Sequence, residues 1–101
     1  VLGPASRGIL GTAPGPEIMS SMARAAAAVP GVLEVEKCLV RKMGLDFYVD
    51  LHIGVDADIS VREGHQIAHA VKAAIRQTDP RMADVLVHVE PVRSSRVVGS
   101  S

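Results

Sequence analysis

The chain has 101 residues, 48% of them hydrophobic, and eleven basic residues balance eleven acidic ones. That length makes one domain with irregular ends, and with no Trp, one Phe and one Tyr its core must be built from Ala, Val, Ile, Leu and Met. Zero net charge and the lack of aromatic stacking platforms argue against a nucleic-acid partner. The single cysteine, Cys38, excludes an internal disulfide framework and suits a reducing compartment. No apolar run approaches the ~20 residues of a membrane helix and the N-terminus has no signal-peptide pattern, so the chain as given reads as soluble.

Residues 1–15 carry Gly3, Pro4, Gly8, Gly11, Pro14 and Gly15 and read as a linker or tether, with Ile9 and Leu10 docking on the core. A helix is predicted over 17–29: Pro16 suits a first turn, Glu17 suits the positive helix end, and Ile18, Met22, Ala25, Ala26 and Val29 recur at helical spacing. Pro30-Gly31 stops it. Residues 32–43 alternate loosely and read as a strand. Gly44-Leu45-Asp46 makes a reversal, so 47–55 forms an antiparallel hairpin with it. Alternation in this second strand is clean, with Phe47, Val49, Leu51, Ile53 and Val55 on one side and Tyr48, Asp50, His52 and Gly54 on the other.

Ser60 and Glu63 form a capping-box pattern that starts a helix at Val61. Its apolar stripe is Ile67, Ala68, Val71, Ala74 and Ile75, and His65 and His69 lie one turn apart on its flank. Thr78-Asp79-Pro80 ends the helix. Residues 84–90 alternate again, with Val85, Val87 and Val89 inward and Leu86, His88 and Glu90 outward, and Pro91 ends the strand. The structured domain is thus expected over 16–91, followed by a frayed tail over 92–101.

The order helix, strand, strand, helix, strand predicts an α+β two-layer sandwich of ferredoxin-like type, with the last strand parallel to one of the first two. One sheet face takes the helices. The other carries Asp50, His52, His88 and Glu90, together with Tyr48 and Leu86, which points to cover by a second copy of the chain.

Three chemistries fit that face. Imidazole nitrogen and carboxylate oxygen are ligands for Zn²⁺, Mn²⁺ and Fe²⁺, and two same-strand pairs, Asp50/His52 and His88/Glu90, would converge if their strands are neighbours. General acid–base catalysis by His52 or His88 is the second. No nucleophile constellation, phosphate loop or HExxH motif accompanies it, and no enzyme is expected. In the third, each histidine simply bonds locally. Without metal, the domain would be a ferredoxin-like oligomerisation or small-ligand-sensing module. Cys38 reads most simply as a small buried hydrophobe, and His69 as a solvated helix residue whose spacing from His65 nonetheless allows both to bind metal.

The segments Val29-Pro30-Gly31-Val32, Val40-Arg41-Lys42-Met43-Gly44, Tyr48-Val49-Asp50-Leu51-His52-Ile53, Ser60 to Ala68, and Asp84-Val85-Leu86-Val87-His88-Val89-Glu90-Pro91 occur in that order. Together they resemble the C-terminal cytoplasmic domain of the cation diffusion facilitator family, over roughly residues 9–91. The resemblance implies a metallochaperone-like αββαβ fold, a homodimer, divalent metal at or near its interface, and closure of the dimer that regulates transport by a membrane domain of the same transporter. It places the domain in the cytoplasm. Residues matching metal positions of zinc-transporting relatives are His52, His65, His88 and Glu90, while a position often held by His is Glu36 here. In the magnetosome-associated branch the matching ligands include Asp50, His65 and His88, with an aromatic where Tyr48 stands. The sequence does not choose between the two patterns. Oxygen for nitrogen at Glu36 makes the site harder and tilts it toward Mn²⁺ or Fe²⁺ over Zn²⁺.

Overall fold

Pro16, whose missing N–H costs nothing at a helix start, opens helix α1 (Pro16–Ala27), with Glu17 in its first turn and Arg24 in its last. These positions come from a computed structural model that describes residues 14–92. The expected tether and the docking of Ile9 and Leu10, like the tail, lie outside the described residues apart from Pro14, Gly15 and Val92. Helix α1 ends two residues before the predicted boundary. Ala28 caps it, and Gly31 turns the chain with a φ of 99° that L side chains resist.

Strands β1 (Glu34–Met43) and β2 (Asp46–Asp56) pair antiparallel as the predicted hairpin, with Gly44 at φ 69° in the reversal. Helix α2 (Val61–Thr78) starts with both halves of the capping box in place. The Ser60 hydroxyl accepts from the Glu63 N–H at 3.0 Å, and Glu63 Oε1 accepts from the Ser60 N–H at 3.0 Å. Asp79 leaves the helix in extended conformation. Its carboxylate accepts from the Arg81 backbone N–H at 2.9 Å and from the guanidinium at 2.7 Å, which fixes the turn into strand β3 (Met82–Val92).

The sheet order is β1-β2-β3, with β3 parallel to β2. A parallel neighbour requires a crossover, and α2 supplies it. The hydrophobic alternation of β2 then acts as the spine of the core. Phe47, Val49, Leu51, Ile53 and Val55 are all buried, and they meet Met22 and Ala26 of α1, Val71 and Ile75 of α2, and Met82 and Val85 of β3. The two-layer α+β sandwich expected from the element order is the observed fold.

Two departures have physical causes. The strand does not stop at Pro91 but pairs through Pro91 and Val92, which an edge strand tolerates because one side of its backbone needs no partner. The loose alternation of β1 is a β-bulge. The register shifts between Val35 and Lys37, leaving Glu36 as the extra residue, so that Val35 and Cys38 both pack inward.

Candidate metal centre

With β2 in the middle, the even-numbered residues of β2 and β3 stand side by side on the face away from the helices. His52 pairs with His88, Asp50 with Leu86, and Gly54 with Glu90, while from β1 Lys37 stands beside His52 and Leu39 beside Asp50. The period of two puts these side chains on one face, and the parallel register of β3 brings the two histidines together. Their rings stack with centroids 4.3 Å apart and planes 15° from parallel.

One ligand atom from each of Asp50, His52 and His88 lies within 4.8 Å of the others. His88 Nε2 is 2.8 Å from Asp50 Oδ1, and His52 Nε2 is 3.6 Å from the same oxygen. The closest pair is unusual. Both Asp50 Oδ1 and His88 Nε2 are shielded from solvent, yet neither makes a hydrogen bond of acceptable geometry. Orphaned polar atoms of this kind cost about 1–3 kcal/mol each unless something satisfies them. Two nitrogens and one carboxylate oxygen within 4.8 Å of one another are a donor set that Zn²⁺, Fe²⁺ and Mn²⁺ accept, so the residues present fit a divalent cation.

Glu90 is placed differently. Its Oε2 lies 3.0 Å from His52 Nδ1, the nitrogen on the far side of the ring from Asp50. A proton held on Nδ1 by a carboxylate leaves Nε2 free as a ligand and fixes the ring's orientation. That contact with His52, followed by one with Glu36, holds the Glu90 carboxyl below its ordinary range. Glu36, at the bulge, is pushed up by Glu90 first and then by Glu34. Glu36 and Glu90 extend the polar row next to the His52/His88/Asp50 cluster without entering the three-residue group.

Glu34 was not singled out by sequence reasoning. Its signal is the Glu-x-Glu spacing of β1, which mirrors His-x-Glu on β3. Gly54 explains its position, because a Cβ there would collide with Val92 and with the Glu34 side chain, both of which cross over the bare backbone. Around the cluster the same face exposes Leu39 (51%), Leu86 (58%) and Tyr48 (37%), an apolar rim that a single chain leaves uncovered.

His65 does not join this cluster. It sits on α2, in the helix layer, where it lines a groove with Val87 and Val89, and its Nε2 is 3.1 Å from that of His69. Cys38 packs against the core on the helix side, and burial raises its thiol pKa, as expected of a small buried hydrophobe. Among the described residues no helix is long and apolar enough to cross a membrane.

Comparison with known proteins agrees with this architecture. The magnetosome protein MamM of Magnetospirillum gryphiswaldense is 37% identical over 71 residues, which are 70% of this chain and 22% of MamM. A probable cation efflux system protein of Mycobacterium tuberculosis is 29% identical over 76 residues, 75% of this chain and 23% of that protein. The manganese efflux system protein MneP of Bacillus subtilis is 27% identical over 60 residues, 59% of this chain and 20% of MneP. The chain thus spans about a fifth of the length of these relatives. Among solved structures, a MamM C-terminal-domain variant in a nickel form superposes with a TM-score of 0.74 at 30% identity, covering 78% of this chain and all (100%) of the other. A second variant, in a cadmium form, gives 0.73 at 31% identity over 77% of this chain and 98% of the other. The family described as cation efflux protein, cytoplasmic domain, matches residues 14–92, and the chain belongs to that family.

Proposed function

We propose that this domain is the regulatory cytoplasmic part of a divalent metal cation transporter, that it binds Zn²⁺, Fe²⁺ or Mn²⁺ through Asp50, His52 and His88, and that binding closes a homodimer. The observation that carries the reading is the pair of solvent-shielded, unbonded atoms Asp50 Oδ1 and His88 Nε2, 2.8 Å apart. With His88 neutral and its proton on Nδ1, that contact would set two lone pairs against each other, and a cation beside them would relieve it. Asp50 and His88 would supply two ligands and His52 the third through Nε2, while Glu90 orients His52 through Nδ1. Three ligands leave coordination positions for water or for donors of a second protomer. The apolar rim of Leu39, Tyr48 and Leu86 is where that protomer would pack.

The bound cation supplies positive charge that offsets the carboxylates of Asp50, Glu90, Glu36 and Glu34 as the two faces approach. Closure then follows from linkage, since a cation held better by the closed dimer stabilises it by its differential affinity. Coupling of that closure to a membrane domain would regulate transport. Support for a divalent cation also comes from a relative named for manganese efflux and from neighbours in nickel and cadmium forms.

The test is calorimetric titration with Zn²⁺, Mn²⁺ and Fe²⁺, run with sedimentation on the wild type and on an Asp50→Ala/His88→Ala variant. Metal should bind the wild type and compact its dimer, and the variant should lose both responses. Equal binding by the two proteins removes these residues from the site. The apolar rim also favours a second reading, a metal-independent oligomerisation module. Its mark is a dimer whose dissociation constant and compactness ignore chelator.

A further inference from the structure

The β1–β2 hairpin ends in a two-residue turn between Met43 and Asp46, and Gly44 supplies the positive φ of 69° at its first position. Leu45 therefore forms the apex, 86% exposed, beside Met43 at 57%. Turns of this kind ordinarily take polar residues, and among the described residues neither side chain joins the core. Arg41 and Lys42, which precede them on β1, are exposed and make no ion pair among the described residues. Helix α2 finishes at the same end of the sheet, because Phe47 pairs with Met82, and its exposed last-turn Arg76 adds a third cation. Arg81 and Lys72 are neutralised by Asp79 and Asp84, so Asp46 is the acid that remains here among the described residues. The opposite end of the strands carries Glu34, Glu36, Glu90, Asp56 and Asp58. Zero net charge thus hides a polarity along the sheet.

We propose that the hairpin tip docks on an anionic lipid surface, with Leu45 and Met43 entering the headgroup layer and Arg41, Lys42 and Arg76 set against the phosphates. Charge complementarity selects this occupant. Apolar side chains rimmed by cations match a bilayer interface, which is anionic at the headgroups and apolar beneath them. A two-residue turn also presents too little area for a stable protein interface, yet it is enough to reach headgroup depth. Repulsion of the acidic end from the same surface holds the strands steep to it. The path of the chain agrees. Gly31, just past α1, lies against Ile67 in the first half of α2, and the two helices pack together, so α1 starts toward the hairpin end. Residues 1–13 thus join the domain at the end that faces lipid. The inference rests on the transporter reading for the nearness of a bilayer, though not for the contact itself.

Because the chain contains no Trp, Leu45→Trp supplies a lone reporter at the apex. With tag-free protein and vesicles of equal parts phosphatidylglycerol and phosphatidylcholine, its emission should shift to the blue and be quenched by brominated lipid. Phosphatidylcholine alone should produce neither. Co-sedimentation with the same vesicles reads the charges. Each basic residue near such a surface contributes roughly fivefold to partitioning, so Arg41→Gln/Lys42→Gln should weaken binding about 25-fold, and added salt should weaken the wild type. Leu45→Ser should cost roughly tenfold. Arg93→Gln/Arg96→Gln removes the same charge from the residues that follow β3 and should change little. Equal losses from the two charge pairs, or an L45W emission that neither shifts nor quenches, overturn the proposal. A blue shift that follows protein concentration without lipid makes the tip a contact between copies and overturns it equally. Metal titration of Arg41→Gln/Lys42→Gln should match the wild type, which verifies its fold and separates failure of lipid docking from failure of the metal reading.

Discussion

Replacing Asp50 by alanine separates what the carboxylate does for metal from what it does for folding. In the metal-free chain Asp50 Oδ1 is shielded and unbonded, so its removal deletes an unsatisfied acceptor rather than a good interaction. The expected change in metal-free stability runs from zero to a gain of about 1 kcal/mol. With metal the sign reverses. At a Zn²⁺ concentration 100 times the wild-type dissociation constant, binding to the folded state adds about 2.7 kcal/mol, or roughly 10–20 °C of melting temperature for a domain of this size. Loss of one of three ligands should weaken affinity at least about 100-fold, beyond the range seen for residues that merely orient a ligand. The same Zn²⁺ concentration then adds only about 0.4 kcal/mol. Paired thermal melts with chelator and with Zn²⁺, on wild type and Asp50→Ala, read both numbers. A variant that melts far below wild type in chelator yet keeps the full Zn²⁺ shift would refute the reasoning, because Asp50 would then be a structural partner of His88 and not a ligand.

Glu90→Gln and Glu90→Ala test the orienting contact to His52 Nδ1. Because Glu90 is 45% exposed, the loss should fall near the low end, roughly tenfold in metal affinity by calorimetry. A loss matching Asp50→Ala would make Glu90 a direct ligand. Gly31→Ala should destabilise the fold by about 1–2 kcal/mol in denaturant titration, since a φ of 99° strains any L side chain. The nearby Ile67 Cδ1 can swing aside and adds little to that cost. Asp79→Ala should cost about 1 kcal/mol at pH 7 through the lost hydrogen bond to the Arg81 backbone N–H. Arg81 holds the Asp79 carboxyl below its ordinary 3.8. The stabilisation is therefore present above that pH and is lost as pH falls through the lowered value. Melts from pH 7 to pH 2 should show variant and wild type converging in acid.

Much of this architecture is legible in the sequence. Ser60 and Glu63 announce the start of α2, and Gly44 announces the reversal between β1 and β2. The strict alternation from Phe47 to Val55 already puts Asp50 and His52 on one face, as that from Val85 to Glu90 does for His88 and Glu90. These are local facts. They depend on periods of 2 and 3.6 and on turn chemistry, which act within a few residues. Even the bulge left a trace, because Val35, Cys38 and Val40 are spaced three and then two apart.

Tertiary structure decided which faces meet. A period of two tells which side a residue points to but not which strand lies beside it. Pairing of β3 with β2 is set by the α2 crossover, whose Val71 and Ile75 are buried in the same core as Leu51 and Ile53. Only that pairing stacks His52 on His88 and leaves Asp50 Oδ1 and His88 Nε2 together without hydrogen bonds. It also divides the six residues that the family resemblance marked. Asp50, His52 and His88 converge, Glu90 turns to the far nitrogen of His52, Glu36 rides a bulge beside Glu90, and His65 lies in the other layer facing His69. Sequence by itself determined the kinds of donor and the face on which most of them stand. Their distances, and hence their chemistry, came from register between strands far apart in the chain.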